Sequence, residues 1–373
     1  MAATESGGPT ADGGTFTRSF RPRAWGQRAL TLTTAFASLL ILSVLIIVWP
    51  TGFVVYSPGP SDVLLLDDSE DTSIHIEGAK VYPTNGTLLW TSLTITARDQ
   101  SLGLPEAVMA FLRNDWDVFP RELAYPVGRP VEQVAQEAED SVSPARRNAI
   151  VAGLRAAGRP VSQTPIITYV RPAGPSYGRL HVGDLIIGVD NEEVRTASDV
   201  ASAVAKHAVG DKVNIKIMDA KGIEYDVVVT AEAGNAAENT AKLGVSFADS
   251  YRYEPILVTF NTGPHASATG GGLLLSLGLY EMLGKEDLLA GRRVAASGTV
   301  DASGTVSSVA GITEKLISAE RDGADVFLLP ASSCGVTPAS IGKMRIVVVS
   351  SLTDAIESLR LLRDDPLADV PHC

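Results

Sequence analysis

Apolar positions fall along the chain in three patterns. From Leu30 to Trp49 the run LTLTTAFASLLILSVLIIVW carries no charge over twenty residues. At 1.5 Å of rise per residue this length matches a hydrocarbon core of about 30 Å, so the pattern predicts a transmembrane helix. Shorter segments follow. Residues 79–98, AKVYPTNGTLLWTSLTITAR, read as two strands around Pro83-Thr84-Asn85-Gly86, since Asn-Gly accepts positive φ cheaply. Residues 131–142 and 143–157 have helical spacing, the second opening at Ser143-Pro144 and closing near Gly158. Between Val161 and Ala233 the β-rich runs IITYV, DLIIGV, KVNIKIM and YDVVVTA surround one helical stretch, SDVASAVAKHA, with Ser198 as its N-cap. From Glu254 to Leu362 strands such as PILVTF and RIVVV alternate with apolar helical runs such as LLLSLGLYEML, the signature of an α/β domain.

The flanks of the long apolar run orient it. Arg18, Arg21, Arg23 and Arg28 precede it, and Asp67, Asp68, Glu70 and Asp71 lie downstream. Basic residues stay on the cytoplasmic side, which predicts a single-pass protein of the cell membrane with its N-terminus inside and its bulk extracytoplasmic. The apolar core is longer than the usual signal-peptide core, and no small-x-small cleavage site follows it. The expected division is a cytoplasmic tail over 1–28, a transmembrane helix over 29–49 and a hairpin with helical connector over 50–158. A β module over 159–235, an α/β domain over 240–363 and a tail over 364–373 complete it.

With 45% hydrophobic and 20% charged residues, the 373-residue chain fills two or three packed domains. A formal net charge of -12 repels phosphate backbones, and the basic runs carry no interleaved aromatics, so nucleic acid is excluded as a partner and proteins or peptides remain. Cys334 and Cys373 have neither CxxC nor His spacing, so no metal site is expected. Cys334 reads as a small buried residue, with a bridge to Cys373 as the alternative in an oxidising compartment. No GxxxxGK[ST] loop occurs, so neither ATP nor any other cofactor is expected. The oligomeric state, including a homo-oligomer, stays open.

Within the β module, YVRPAGPSYGRLHVGDLIIGVDNEEV resembles the PDZ domains of bacterial proteases. Leu180, Gly183, Asp184, Ile186, Val189, Asp190 and Asn191 match the pattern L-x-x-G-D-x-I-x-x-V-[DN], and Glu192 stands where glycine is common. The resemblance implies a module that binds unfolded or C-terminal protein segments by adding a strand to a sheet edge. It places the peptide-binding loop at Val161, Ser162, Gln163, Thr164, Pro165 and Ile166, although VSQTPI lacks the glycine signature of many such loops.

Farther on, Gly298, Thr299, Asp301, Gly304, Val306, Val309, Gly311, Ile312, Glu314 and Lys315 carry a resemblance to the Lon-type proteolytic domain, with Ala310 replacing one glycine. It is strongest to the ATP-independent, membrane-anchored, PDZ-containing Lon-like serine proteases of Gram-positive and actinobacterial type. YPTNGTLLWTSL and SPARRNAIVAGLRAAG are similar to those proteins too, so the resemblance covers nearly everything after residue 29.

That resemblance implies a serine–lysine endopeptidase acting on extracytoplasmic proteins. A lysine activates a hydroxyl only when neutral, and desolvation lowers its pKa toward working pH. Ile312, Lys315, Leu316 and Ala319 stand at i, i+3, i+4 and i+7, which puts the Lys315 amine on an apolar helix face. The serine is missing. In the family it sits in G-P-S-A-G at a helix start, and counting back without gaps from Leu277-Gly278-Leu279-Tyr280 puts its slot on Gly270. Ser267 is a candidate displaced nucleophile and Thr269 adjoins the slot, but either needs the backbone to carry a hydroxyl several Å. His265, Ser267 and Asp301 are the residue types of a hydrolase triad, with nothing in their spacing to support one. The expected function is thus a Lon-like endopeptidase homologue with a PDZ module, and the alternative is a non-catalytic peptide-binding or scaffold pseudoprotease.

Overall fold

A computed structural model describes residues 26–373 except 66–72, 114, 126–130, 220, 236–237, 254, 262–269 and 336–340. It opens with α1 (Gln27–Val48), whose span Ala29–Ile47 has a mean hydropathy of 2.4 and is wholly unburied. This helix is long and apolar enough to cross a membrane. Next come β1 (Phe53–Leu65), β2 (Ile74–Glu77) and β3 (Thr87–Ile95). β3 pairs antiparallel with β1 rather than with residues 79–86, so the expected hairpin does not form. Thr87 to Ser92 are all buried, as in a strand covered on both faces rather than a hairpin arm. Gly86, at φ 132°, answers to a close approach instead of a hairpin turn: a Cβ there would stand 2.7 Å from the Leu289 Cβ.

α2 (Leu104–Leu112), β4 (Asp117–Pro120) and α3 (Arg121–Ala124) follow, β4 pairing on the other edge of β1. α4 (Val131–Ala156) runs unbroken through Pro144, where the sequence pattern separated two helices. Its second half is held by burial of Ala149, Val151 and Leu154, so the expected start at Ser143-Pro144 lies in mid-helix.

The β module comprises β5 (Ser162–Val170), β6 (Leu185–Val189), β7 (Glu192–Glu193), α5 (Ala197–Val204), β8 (Lys212–Met218), β9 (Glu224–Thr230), β10 (Glu232–Asn235), β11 (Glu238–Lys242) and β12 (Val245–Arg252). Its main sheet runs β12-β5-β6-β8-β9 around a core that includes Ile167, Leu180, Ile186, Val200, Ile215 and Ile217. The module therefore extends to Arg252, not 235, because β12 pairs with the full length of β5. The matched pattern has a structural reason. Leu180 fills the core, Gly183 takes φ 100°, and the buried Asp184 carboxylate accepts the His181 N–H at 2.8 Å. α5 is capped by Thr196 rather than Ser198: Thr196 Oγ1 accepts the Asp199 N–H while Asp199 accepts the Thr196 N–H, closing a capping box.

The remaining elements are β13 (Leu257–Phe260), α6 (Gly272–Leu283), β14 (Arg293–Ala296), β15 (Thr299–Val300), β16 (Val306–Ser307), α7 (Ile312–Arg321), β17 (Val326–Pro330), β18 (Arg345–Val349) and α8 (Leu352–Asp364). They complete a mixed sheet of order β18-β17-β14-β3-β1-β4, parallel from β18 to β3. The α/β domain is consequently discontinuous. Three of its strands precede the β module, so residues 50–158 are not a separate connector. Leu88, Trp90, Val294, Ala296 and Leu328 face the layer of α4, α6 and α8; Leu89, Ala295, Phe327 and Leu329 face α7. One polar expectation changes: Cys334 is exposed and bonded to Cys373, with Cα atoms 5.5 Å apart. Glu286 is held by Arg360 at 2.9 Å and Arg363 at 2.5 Å.

Candidate functional site

β5, where the sequence placed peptide binding, is not an edge strand. β12 lines it from Ser162↔Arg252 to Val170↔Val245, and β6 meets its other side at Ile166↔Leu185. The outer strand on this side is β12, unpaired by any other strand among the described residues. Gly244, at φ 70°, turns the chain into β12 behind the buried Leu243. α5 lies alongside, its Ala197 N–H donating to Asp249 Oδ1 of β12 at 2.7 Å. At the head of β12 a pocket of about 280 Å³ includes Lys242, Gly244, Val245 and the ion pair of Arg171 with Glu232.

Of the residues expected to bind peptide, Ser162, Gln163 and Thr164 instead line a polar cleft of about 540 Å³ with Glu192, Lys216 and Arg252. Thr164 and Pro165 are buried in the sheet. The signal for this outer strand was Leu243-Gly244-Val245, a glycine directly before a strand that lay beyond the expected boundary at 235.

In the α/β domain, Lys315 occupies the predicted apolar face: Ile312, Lys315, Leu316 and Ala319 are all buried. Burial pulls the Lys315 amine down to about 8, against the opposing pull of the Glu314 carboxylate. Burial likewise pushes Glu314 up to about 7, and the neighbouring Asp117 carboxylate adds to the rise. Two further hydroxyls belong to this part of the sheet. Side chains alternate along a strand, so Thr91 of β3 is on the same face as Leu89, and Ser297 directly follows β14. Both are buried, and both hydroxyl oxygens lack a partner among the described residues.

Gly270 is half-buried, and its carbonyl accepts the Gly298 N–H at 3.0 Å just beyond β14. The first turn of α7 lies at the same end of the sheet, because Gly311 abuts Leu93, three residues past the Trp90 that pairs with Ala296. Gly270 and the first turn of α7 thus lie at one sheet end, and Gly270 has no side chain to offer a hydroxyl. Neighbouring positions are tightly filled: a Cβ on Gly271 would meet the Trp90 ring at 2.0 Å. His265, Ser267 and Thr269 lie outside the described residues. Asp301 belongs to a turn, accepting the Ser303 hydroxyl at 2.6 Å and the Thr305 N–H at 2.9 Å. Sequence reading passed over Thr91 and Ser297, although Ser297 adjoins the motif glycine Gly298.

A family model described as a PDZ domain matches residues 143–229, so the chain contains a PDZ domain. The PDZ domain of an SdrC-like protein from Listeria monocytogenes is 20% identical, covering 22% of this chain and 85% of that one, with a TM-score of 0.21. The PDZ domain of an SdrC-like protein from Listeria innocua is 23% identical, covering 22% and 92%, with a TM-score of 0.21. A Geobacillus thermodenitrificans protein is 25% identical over 22% and 92%, with a TM-score of 0.20. No curated protein matches the chain.

Proposed function

We propose that the protein is a membrane-anchored, extracytoplasmic peptide-binding protein built on a Lon-like α/β domain that has lost its catalytic serine. α1 is the single span, and the PDZ domain captures extended segments of unfolded or C-terminal protein chains. The observation that carries this reading is the outer strand β12 beside α5, entered through Gly244. A peptide laid along it gains main-chain hydrogen bonds, and at its head Lys242 lines the same pocket as Arg171, whose guanidinium is paired with Glu232. Titrating a peptide library against the full chain, with amide exchange as the readout, tests it. Added protection should concentrate in Val245–Arg252. Protection confined to Ser162–Ile166, or none at high micromolar peptide, would sink the proposal.

A second reading, an active serine–lysine endopeptidase, is supported by two buried groups of the right chemistry, the Lys315 amine and the Ser297 hydroxyl, the latter without a hydrogen-bond partner among the described residues. It requires Lys315 to take the Ser297 proton as that oxygen attacks a carbonyl. Proteolysis lost on both Ser297→Ala and Lys315→Ala would establish it. Activity lost on Ser267→Ala instead would assign the hydroxyl to the upstream loop.

A further inference from the structure

Close to the end of α1 lies an apolar surface that neither the peptide edge nor the Lys315 site uses. α2 turns its small residues, Ala107 and Ala110, inward and its large ones outward. Phe111 is 79% exposed and Leu112 71%, and Leu104, Val108 and Met109 of the same helix are exposed as well. Single exposed apolar residues are ordinary on a protein surface, but five on a nine-residue helix form a patch that marks an interface. Leu123 and Phe119, just beyond α2 in the chain, are exposed too.

The chain's own connections fix what lies against this patch. The Thr51 N–H and hydroxyl both donate to the Leu102 carbonyl at 2.8 Å, and Pro50 bridges to Gly103. A Cβ on Gly103 would stand 3.0 Å from the Ile47 carbonyl. The start of α2 is therefore strapped to the last turn of α1, at the level where the span ends. Side chains typical of a bilayer–water boundary gather here: Trp49 is exposed, and the Arg113 guanidinium stacks 4.4 Å from the Trp116 ring. A short helix with one face on the protein and large apolar groups on the other suits a position in the plane of the interface.

We propose that α2 is an interfacial helix that inserts Val108, Met109, Phe111 and Leu112 into the outer leaflet of the bilayer that α1 spans. Through its packing on β1 and β4, it holds the α/β sheet at a set height and tilt above the membrane. The proposal rests on the reading of α1 as the membrane span.

Single cysteines at Leu39→Cys, Phe111→Cys, Leu112→Cys and Tyr177→Cys, with Cys334 and Cys373 oxidised to each other, allow nitroxide labelling of the full chain in phospholipid nanodiscs. Labels at 39, 111 and 112 should collide preferentially with oxygen, and the label at 177, on the PDZ surface, with a water-soluble nickel chelate. The oxygen-to-nickel ratio at 111 should exceed that at 177 several-fold. If 111 and 112 follow 177 while 39 stays with the lipid, the interfacial helix is wrong and the span stands. A water-accessible label at 39 would refute the span itself. Spin–spin broadening at 111 with exclusion of nickel would replace the bilayer by a second copy of the chain and overturn the proposal.

Discussion

The PDZ domain and the α/β domain have answered sequence change in opposite ways. The PDZ domain departs from its pattern at Glu192 and in the VSQTPI segment, yet it still offers a strand edge beside a helix. The α/β domain buries the Lys315 amine, and on the proposed reading its chemistry turns on whether one position, Gly270, carries a hydroxyl. Recognition by strand addition uses backbone groups, which every residue type except proline supplies in full. Nucleophilic catalysis uses one side-chain atom at one position, so a single substitution abolishes it.

The largest contrast is expected in catalysis. Since removal of a nucleophile alone costs a serine protease roughly a millionfold in rate, the wild-type chain should hydrolyse unfolded protein no faster than Lys315→Ala. Peptide binding should be equal in the two. Gly270→Ser should recover weak cleavage that rises as pH passes about 8, where Lys315 becomes neutral. Cleavage by the wild type above the Lys315→Ala control would contradict the lost-serine reading.

Reduction of the Cys334–Cys373 bridge should destabilise only the α/β domain. Closing 39 residues restricts the unfolded chain by about 4 kcal/mol at 25 °C. Denaturation with and without reductant, followed by amide exchange, should show the loss in β17, β18 and α8 with β5–β12 unchanged. Equal loss in both domains would mean that they unfold as one unit.

pH should separate the domains next. Glu281, buried in α6, is pushed up to about 7 by desolvation, and Glu314 likewise. Both hold their proton better folded than unfolded, so α/β-domain stability should fall as pH rises from about 4.5 to about 7. Glu281 alone accounts for roughly 3 kcal/mol of that fall. Lys315 acts in a higher window. Its depressed pKa means the unfolded chain binds the extra proton between about 8 and 10.5, so stability should recover there. Urea unfolding at pH 5, 7.5 and 10 measures both limbs, and Glu281→Gln should flatten the first. A rise in stability from pH 5 to 7.5 would contradict the burial of these carboxyls.

The smallest effect belongs to the PDZ domain. Thr196→Ala removes the α5 cap at a cost of about 1 kcal/mol. It should loosen the helix beside β12 and weaken peptide binding without altering unfolding of the α/β domain. Unchanged affinity would show that α5 does not border the bound peptide.

Much of this molecule was legible in its residues because the signals were local. A charge-free run of twenty residues suffices for α1, and the spacing of Ile312, Lys315, Leu316 and Ala319 suffices to bury an amine, since helix periodicity needs no knowledge of the partner surface. The L-x-x-G-D pattern likewise encodes a turn that closes within a few residues. Long-range pairing was decided only in three dimensions. Asn85-Gly86 reads as a hairpin turn, but β3 found β1 and β14, and β12 closed over β5 from more than seventy residues away along the chain. Which strand stays outermost in the β module and whether Cys334 meets Cys373 depend on which strands pair. Pairing is set by the burial of whole faces against one another, a property of the assembled sheet that no single segment carries.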